Sequence, residues 1–124
     1  MTPSRNSTRR TFTKAIRLAR PTEFARVRSE GTTHRGRVLT LGVLPTNDEK
    51  PFRIGFITSK RIGGAVIRNR LRRRLREIVR IEQARINGGI WCVVIARPAA
   101  AHTSYRALKD EWLHLAKRAS ILAP

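Results

Sequence analysis

Apolar residues recur along this chain at spacings that separate strands from helices. Between Arg37 and Leu44, Leu39, Leu41 and Val43 alternate with their neighbours, the period of a half-buried strand. Phe52, Ile54 and Phe56 repeat that alternation in the segment Phe52 to Thr58. The polar stretch Pro45-Thr46-Asn47-Asp48-Glu49-Lys50-Pro51 lies between them, so the pair reads as an antiparallel hairpin with a loose connection. Residues 90–96 are continuously apolar and rich in β-branched side chains, the composition of a central strand covered on both faces.

Helical spacing occurs in the remaining segments. Pro21 to about Arg28 predicts a short helix, with Pro21 suited to a first turn, Phe24 and Val27 on one side and Gly31 as a stop. A long pattern runs from about Ala65 to Asn87 and ends at Gly88-Gly89. A last helix is predicted from Ser104 to Arg118, where Tyr105, Leu108, Trp112 and Leu115 share a face. The order α-β-β-α-β-α, with room for an extra short strand, predicts an α+β fold in which a small sheet packs against helices. Residues 1–15 show no periodicity and are expected to form a flexible basic arm, leaving 16–120 as a single domain.

Charge narrows the possible partners. Of 124 residues, 27 are Lys or Arg and only 8 are Asp or Glu, a formal net charge of +19. A field of that sign attracts polyanions, nucleic acid first and an anionic membrane surface second. No apolar run approaches the roughly 20 residues of a membrane span, and residues 1–20 lack the n-region and h-region of a secretory signal. Their Arg, Ser and Thr content resembles a transit peptide, but a basic arm on a nucleic-acid binder accounts for it. Cys92 is the only cysteine and lies in an apolar run, which predicts a buried, inert thiol and fits a reducing cytoplasm.

The segment Arg68-Asn69-Arg70-Leu71-Arg72-Arg73-Arg74-Leu75-Arg76 carries the functional argument. At about 100° per residue, Ile67, Leu71, Leu75, Ile78 and Val79 share an arc of roughly 120°, while arginines sweep the rest. Glu82 falls inside the apolar stripe, which predicts a bend or an exit there. Helices chosen for solubility mix charge signs; here repelling guanidinium groups gather, and their planar forks suit phosphate. Gly63 and Gly64 ahead of the helix allow a tight turn and leave its first N–H groups open to an anion.

Ser59-Lys60-Arg61-Ile62-Gly63-Gly64-Ala65-Val66-Ile67-Arg68-Asn69-Arg70, followed by Leu71-Arg72-Arg73, resembles the signature of the protein subunit of bacterial ribonuclease P. Arg17-Leu18, Phe24, Gly31 and Ile95-Ala96-Arg97-Pro98 extend the likeness over about a hundred residues, from roughly Arg17 to Leu115. The resemblance implies a β-α-β crossover of left hand, against the usual preference. It also implies a ribonucleoprotein endoribonuclease, in which an RNA subunit removes the 5′ leader of precursor tRNA by Mg²⁺-assisted hydrolysis. Arg68, Asn69, Arg70, Arg72, Arg73 and Arg76, with Lys60 and Arg61, would contact the catalytic RNA. Phe24, Arg28, Arg37, Ser59, Lys60 and Arg97 would serve the single-stranded leader. Arg28 stands where the family has a second aromatic, Arg37 and Thr40 lie where its first strand carries one, and Gly64 replaces an asparagine. These departures shift leader binding from stacking toward charge. No membrane and no obligate protein partner is expected.

The chain itself offers little to a nuclease active site. Asp48-Glu49 lie in a turn, Asp110-Glu111 on the last helix, and His34, His102 and His114 are scattered without a companion at ligand spacing. A ribosomal protein or RNA chaperone would share the size and charge. A helix-based DNA regulator would want a short helix before residue 65, where the pattern is strand. A membrane-surface helix would want an aromatic face, which residues 65–87 lack.

Overall fold

The apolar run Ile90–Ala96 takes the centre of a four-stranded sheet and is hydrogen-bonded to a strand on each side. In the computed structural model, which describes residues 16–123, the strands are β1 (Thr32–Arg35), β2 (Leu39–Pro45), β3 (Arg53–Ile57) and β4 (Ile90–Ala96), in the order β1-β2-β4-β3. The helices are α1 (Pro21–Glu30), α2 (Ala65–Glu82) and α3 (Tyr105–Arg118). Residues 1–15, expected to form the arm, lie outside the described residues.

The predicted hairpin of Phe52–Thr58 on the preceding strand does not form. β4 stands between β2 and β3, antiparallel to the first and parallel to the second. A strand with apolar side chains on both faces gains most from the middle of the sheet, where helices cover both faces. The polar connection of residues 45–51 is long enough to step over it. It is pinned there, with the Thr46 N–H donating to the Gly89 carbonyl and the Gly89 N–H to the Lys50 carbonyl, each at 2.8 Å. β3, α2 and β4 therefore make a β-α-β unit. β2 instead forms its tight hairpin with β1, the extra short strand.

Alternation along the strands sends side chains into two cores. On one face Leu39, Leu41, Val43, Ile54, Cys92 and Val94 pack with Leu71, Leu75, Ile78 and Val79 of α2 and Leu108, Trp112 and Leu115 of α3. Burial pushes the Cys92 thiol up to about 12, so it is inert as expected. On the other face Leu44 and Val93 pack with Leu18 and with Val27 of α1. α2 is shorter than the periodicity predicts. It ends at Glu82, whose carboxylate leaves the apolar stripe to bond Arg85 at 2.7 Å, and a single 3₁₀ turn (Gln83–Arg85) follows. The open edge of β3 is covered by residues 16–18: the Ile54 N–H donates to Ile16 and the Leu18 N–H to Ile54.

The β1–β2 turn is held from below by α3. Glu111 Oε2 accepts from the backbone N–H groups of Val38 (2.7 Å) and Leu39 (2.6 Å). Glu111→Ala leaves two partly buried donors without an acceptor and is expected to cost about 2–4 kcal/mol. Glu111→Gln, which keeps an acceptor, should cost less than half of that; equal midpoints for both variants in urea unfolding would refute the assignment.

Candidate nucleic-acid interface

Two depressions and one charged helix face meet around the β3 edge of the sheet, between α1 and α2. The first depression, about 350 Å³, lies between α1 and the sheet and is lined by Phe24, Val27 and Arg28 of α1, Thr33 and Arg35 of β1, and Thr40, Gly42, Ile57, Val93 and Ile95 of the sheet. Its floor is apolar and its rim carries guanidinium and hydroxyl groups. A second depression of about 310 Å³ adjoins it and is lined by Arg17, Leu18, Ala19, Phe24, Ile54, Gly55, Phe56, Arg72 and Arg76. Phe24 belongs to both. Its half-buried ring lies so close to the β3 backbone that any Cβ at Gly55 would overlap it.

α1 is clamped to β3 by charge. Glu23 accepts from Arg53 Nη1 at 2.6 Å and from the backbone N–H groups of Ala19 and Arg20 at 3.2 Å, closing a capping box at the helix start. Burial alone would raise the Glu23 carboxyl, but the Arg53 and backbone hydrogen bonds outweigh it and hold the group below the usual carboxylate value. Trp91 packs beneath, with the Arg26 and Arg53 guanidinium carbons each 5.2 Å from its ring centroid.

On α2, Asn69, Arg70, Arg73 and Arg76 are exposed. Arg72 is half-buried and oriented, with Nη2 donating to Thr58 Oγ1 at 2.7 Å and Nη1 to Asn69 Oδ1 at 3.2 Å. Arg68 is also half-buried, and its Nε has no hydrogen-bond partner among the described residues. The helical wheel explains its burial, since eleven residues separate it from core Val79, an angular offset of only about 20°. Ser59, Lys60 and Arg61 are exposed in the short 3₁₀ link between β3 and α2. In that link Gly63 adopts φ 153°, a conformation that favours glycine, whereas Gly64 has an ordinary φ of −69° at the helix N-cap. Burial, together with the charges of Arg17 and Arg72, lowers the Arg76 pKa below its usual value.

A family model described as Ribonuclease P matches residues 12–120. The chain belongs to the ribonuclease P protein family. It is 38% identical over 111 residues to the ribonuclease P protein component of Halalkalibacterium halodurans, covering 90% of this chain and 93% of that one. With the protein component of Roseiflexus castenholzii it shares 42% identity over 110 residues, covering 88% and 89% of the two chains. Among solved structures, it is similar to the RNase P protein of Staphylococcus aureus, with TM-score 0.81 and 27% identity over 88% of this chain and 99% of that one. The RNase P protein of Thermotoga maritima gives TM-score 0.74 at 25% identity, covering 82% of this chain and 96% of that one. The chain is thus the protein component of an endoribonuclease that processes tRNA 5′ leaders, with catalysis carried by its RNA subunit.

The structure gathers the sequence-derived residues unevenly. Phe24 and Arg28 line the cleft, and Ser59, Lys60 and Arg61 stand at the head of the arginine helix. Arg37 does not reach the cleft; it lines a separate hollow with Val38, Ala99, Thr103, Ala107 and Glu111. The β1–β2 turn begins after Arg35, so the strand that carries cleft-facing cations is β1. Arg97 is engaged elsewhere, donating from Nη1 to the Gly36 carbonyl at 2.6 Å. Thr33, Arg35 and Arg17 complete the two depressions and were missed as site residues: β1 carries too few apolar residues to show a period, and Arg17 reaches its depression only through the pairing of residues 16–18 with β3. No helix among the described residues is long and apolar enough to cross a membrane.

A pH dependence follows from Glu23. A carboxyl with a depressed folded-state pKa stabilises the fold above its unfolded value, near 4.5, and that contribution disappears as pH falls through the lower folded value. Glu23→Gln is therefore expected to flatten the decline in stability below about pH 4.5. Unchanged acid limbs in thermal melts of the two proteins would refute this.

Proposed function

We propose that the α2 arginine face binds the ribonuclease P RNA and that the cleft beside α1 holds the single-stranded leader of precursor tRNA. The supporting observation is that Phe24 joins a basic-rimmed, apolar-floored cleft to a helix that carries Arg70, Arg73 and Arg76 exposed on its outward side. Arg68, Asn69, Arg70, Arg72, Arg73 and Arg76, with Lys60 and Arg61 at the helix head, serve the catalytic RNA. Arg68 is half-buried at the start of the helix, and Arg72 holds its fork in place through Thr58. Phe24, Arg28 and Ser59 serve the leader, joined by Arg35, Thr33 and Thr40. Arg37, which lines a separate hollow, and Arg97, which bonds the Gly36 carbonyl, are left out of this assignment.

Mg²⁺ supplies Lewis-acid chemistry to the cleavage when bound to the RNA. It requires oxygen ligands, and this interface presents guanidinium groups; among the described residues no cluster of acids, His or Cys could hold a metal. The ion therefore belongs with RNA phosphates, and the protein's part, in the cytoplasm, is to neutralise and position RNA.

The deciding experiment is 5′-leader cleavage of a precursor tRNA at low Mg²⁺ by a bacterial ribonuclease P RNA, with and without this protein. Stimulation by the wild type, lost when Arg68 and Arg70 become Ala, is the expected result. Tight RNA binding without stimulation would instead favour a general chaperone. Binding should also be steeply salt-dependent, falling roughly 10³–10⁵-fold between 50 and 200 mM for six to ten phosphate contacts. Phe24→Ala is expected to weaken leader binding by less than about 3 kcal/mol, because charge at Arg28 and Arg35 shares the work with stacking. A larger loss, measured at equal folded fraction, would make stacking dominant.

A further inference from the structure

We propose that Trp91 is a positioning residue for the leader: it fixes the seat of α1 on the sheet and thereby the shape of the cleft. The proposal rests on reading that cleft as the leader site. α1 has little apolar burial to hold it, since Val27 is the one fully buried side chain among its ten residues. A helix anchored at a single buried side chain is free to rock about it. Along β4, Trp91, Val93 and Ile95 all face α1. Val27 packs into the same small core as Val93, Ile95 lines the open cleft, and Trp91 takes the Arg26 guanidinium instead. The helical wheel agrees. Glu23, Arg26 and Glu30 fall within about 60° of one another, while Phe24 and Arg28, which line the cleft, lie on the other flank of Val27.

Trp91 closes a ring of contacts that begins and ends on α1. The Arg26 and Arg53 guanidinium carbons each lie 5.2 Å from the Trp91 ring centroid. Arg53 in turn pairs with Glu23 at 2.6 Å, and Arg26 pairs with Glu30 at 3.3 Å. One side chain of β4 therefore reaches the first turn of α1 through β3 and its second half directly. Two cations gather on this indole because the face of an aromatic ring is negative, and their carboxylates hold each fork in place. An aliphatic side chain would fill the space beside α1 and attract neither cation. The consequence falls on the other flank of the helix. A tilt about Val27 moves Phe24 and Arg28 relative to the cleft floor at Thr40, Ile57 and Ile95. Phe24 tolerates little of this, since its ring already lies against the β3 backbone at Gly55.

The test uses the reconstituted holoenzyme, with precursor tRNA bearing either a leader too short to enter the cleft or one long enough to fill it. Trp91→Leu keeps the charge and an apolar side chain but removes the ring. It is expected to raise KM for the long leader about fivefold, with kcat and affinity for ribonuclease P RNA little changed. The salt slope should stay as in the wild type, because no cation is lost. Trp91→Phe, which restores a ring face, should recover most of the loss. Arg26→Met, on the exposed flank of α1, should reproduce it without touching the sheet, and the double variant Trp91→Leu/Arg26→Met should lose no more than the larger single. Amide hydrogen exchange along α1 should quicken in Trp91→Leu while α2 is unaffected. Unchanged KM for the long leader would overturn the proposal, and so would equal losses for both leaders and for RNA binding, which mark general destabilisation. A wild type indifferent to leader length would instead remove the cleft reading, while the exchange rates would still decide whether Trp91 seats α1.

Discussion

The double burial of β4 is the constraint from which the rest of the molecule follows. A strand apolar on both faces must be covered twice, so the chain places α2 and α3 on one side and α1 on the other. The two covers are unequal. α1 has ten residues, about 15 Å of helix, and lies over a four-stranded sheet. It leaves Thr40, Gly42, Val93 and Ile95 lining an open cleft. The groove is thus a product of incomplete coverage, and its apolar floor continues the small core in which Val27 packs on Val93.

Electrostatics works against the fold and toward the partner. Most of the carboxylates that the structure describes are spent on local tasks. Glu23 caps α1 and clamps it to β3, Glu111 holds the β1–β2 turn, and Glu30, Glu77 and Glu82 pair with arginines in their own helical turns. Arg70, Arg73 and Arg76 are left exposed without an ion-paired carboxylate among the described residues. The free protein carries repulsion that a polyanion relieves, so binding energy and fold stability are linked through the same residues. Arg72 shows the compromise in one side chain, since its bonds to Thr58 and Asn69 orient a cation that still lines an open depression.

Sequence by itself determined the periodic elements and the chemistry of α2. The helices around Phe24, Leu75 and Trp112 and the central strand at Cys92 were legible because their apolar spacing reports burial directly. The run from Ser59 to Arg76 was legible as a concentration of positive charge on a helix, because most of its arginines fall outside the apolar stripe. Tertiary structure alone decided which strands pair: nothing in the alternation of Leu39–Val43 or Phe52–Phe56 says that β4 will enter between them, since hydrogen-bonding partners leave no mark on side-chain period. It also decided the role of Glu111, whose carboxylate accepts from backbone N–H groups over seventy residues away. For the same reason it withdrew Arg37 and Arg97 from the cleft and brought in Arg17 and Arg35, because a cation's position depends on the turn that carries it and not on its own identity.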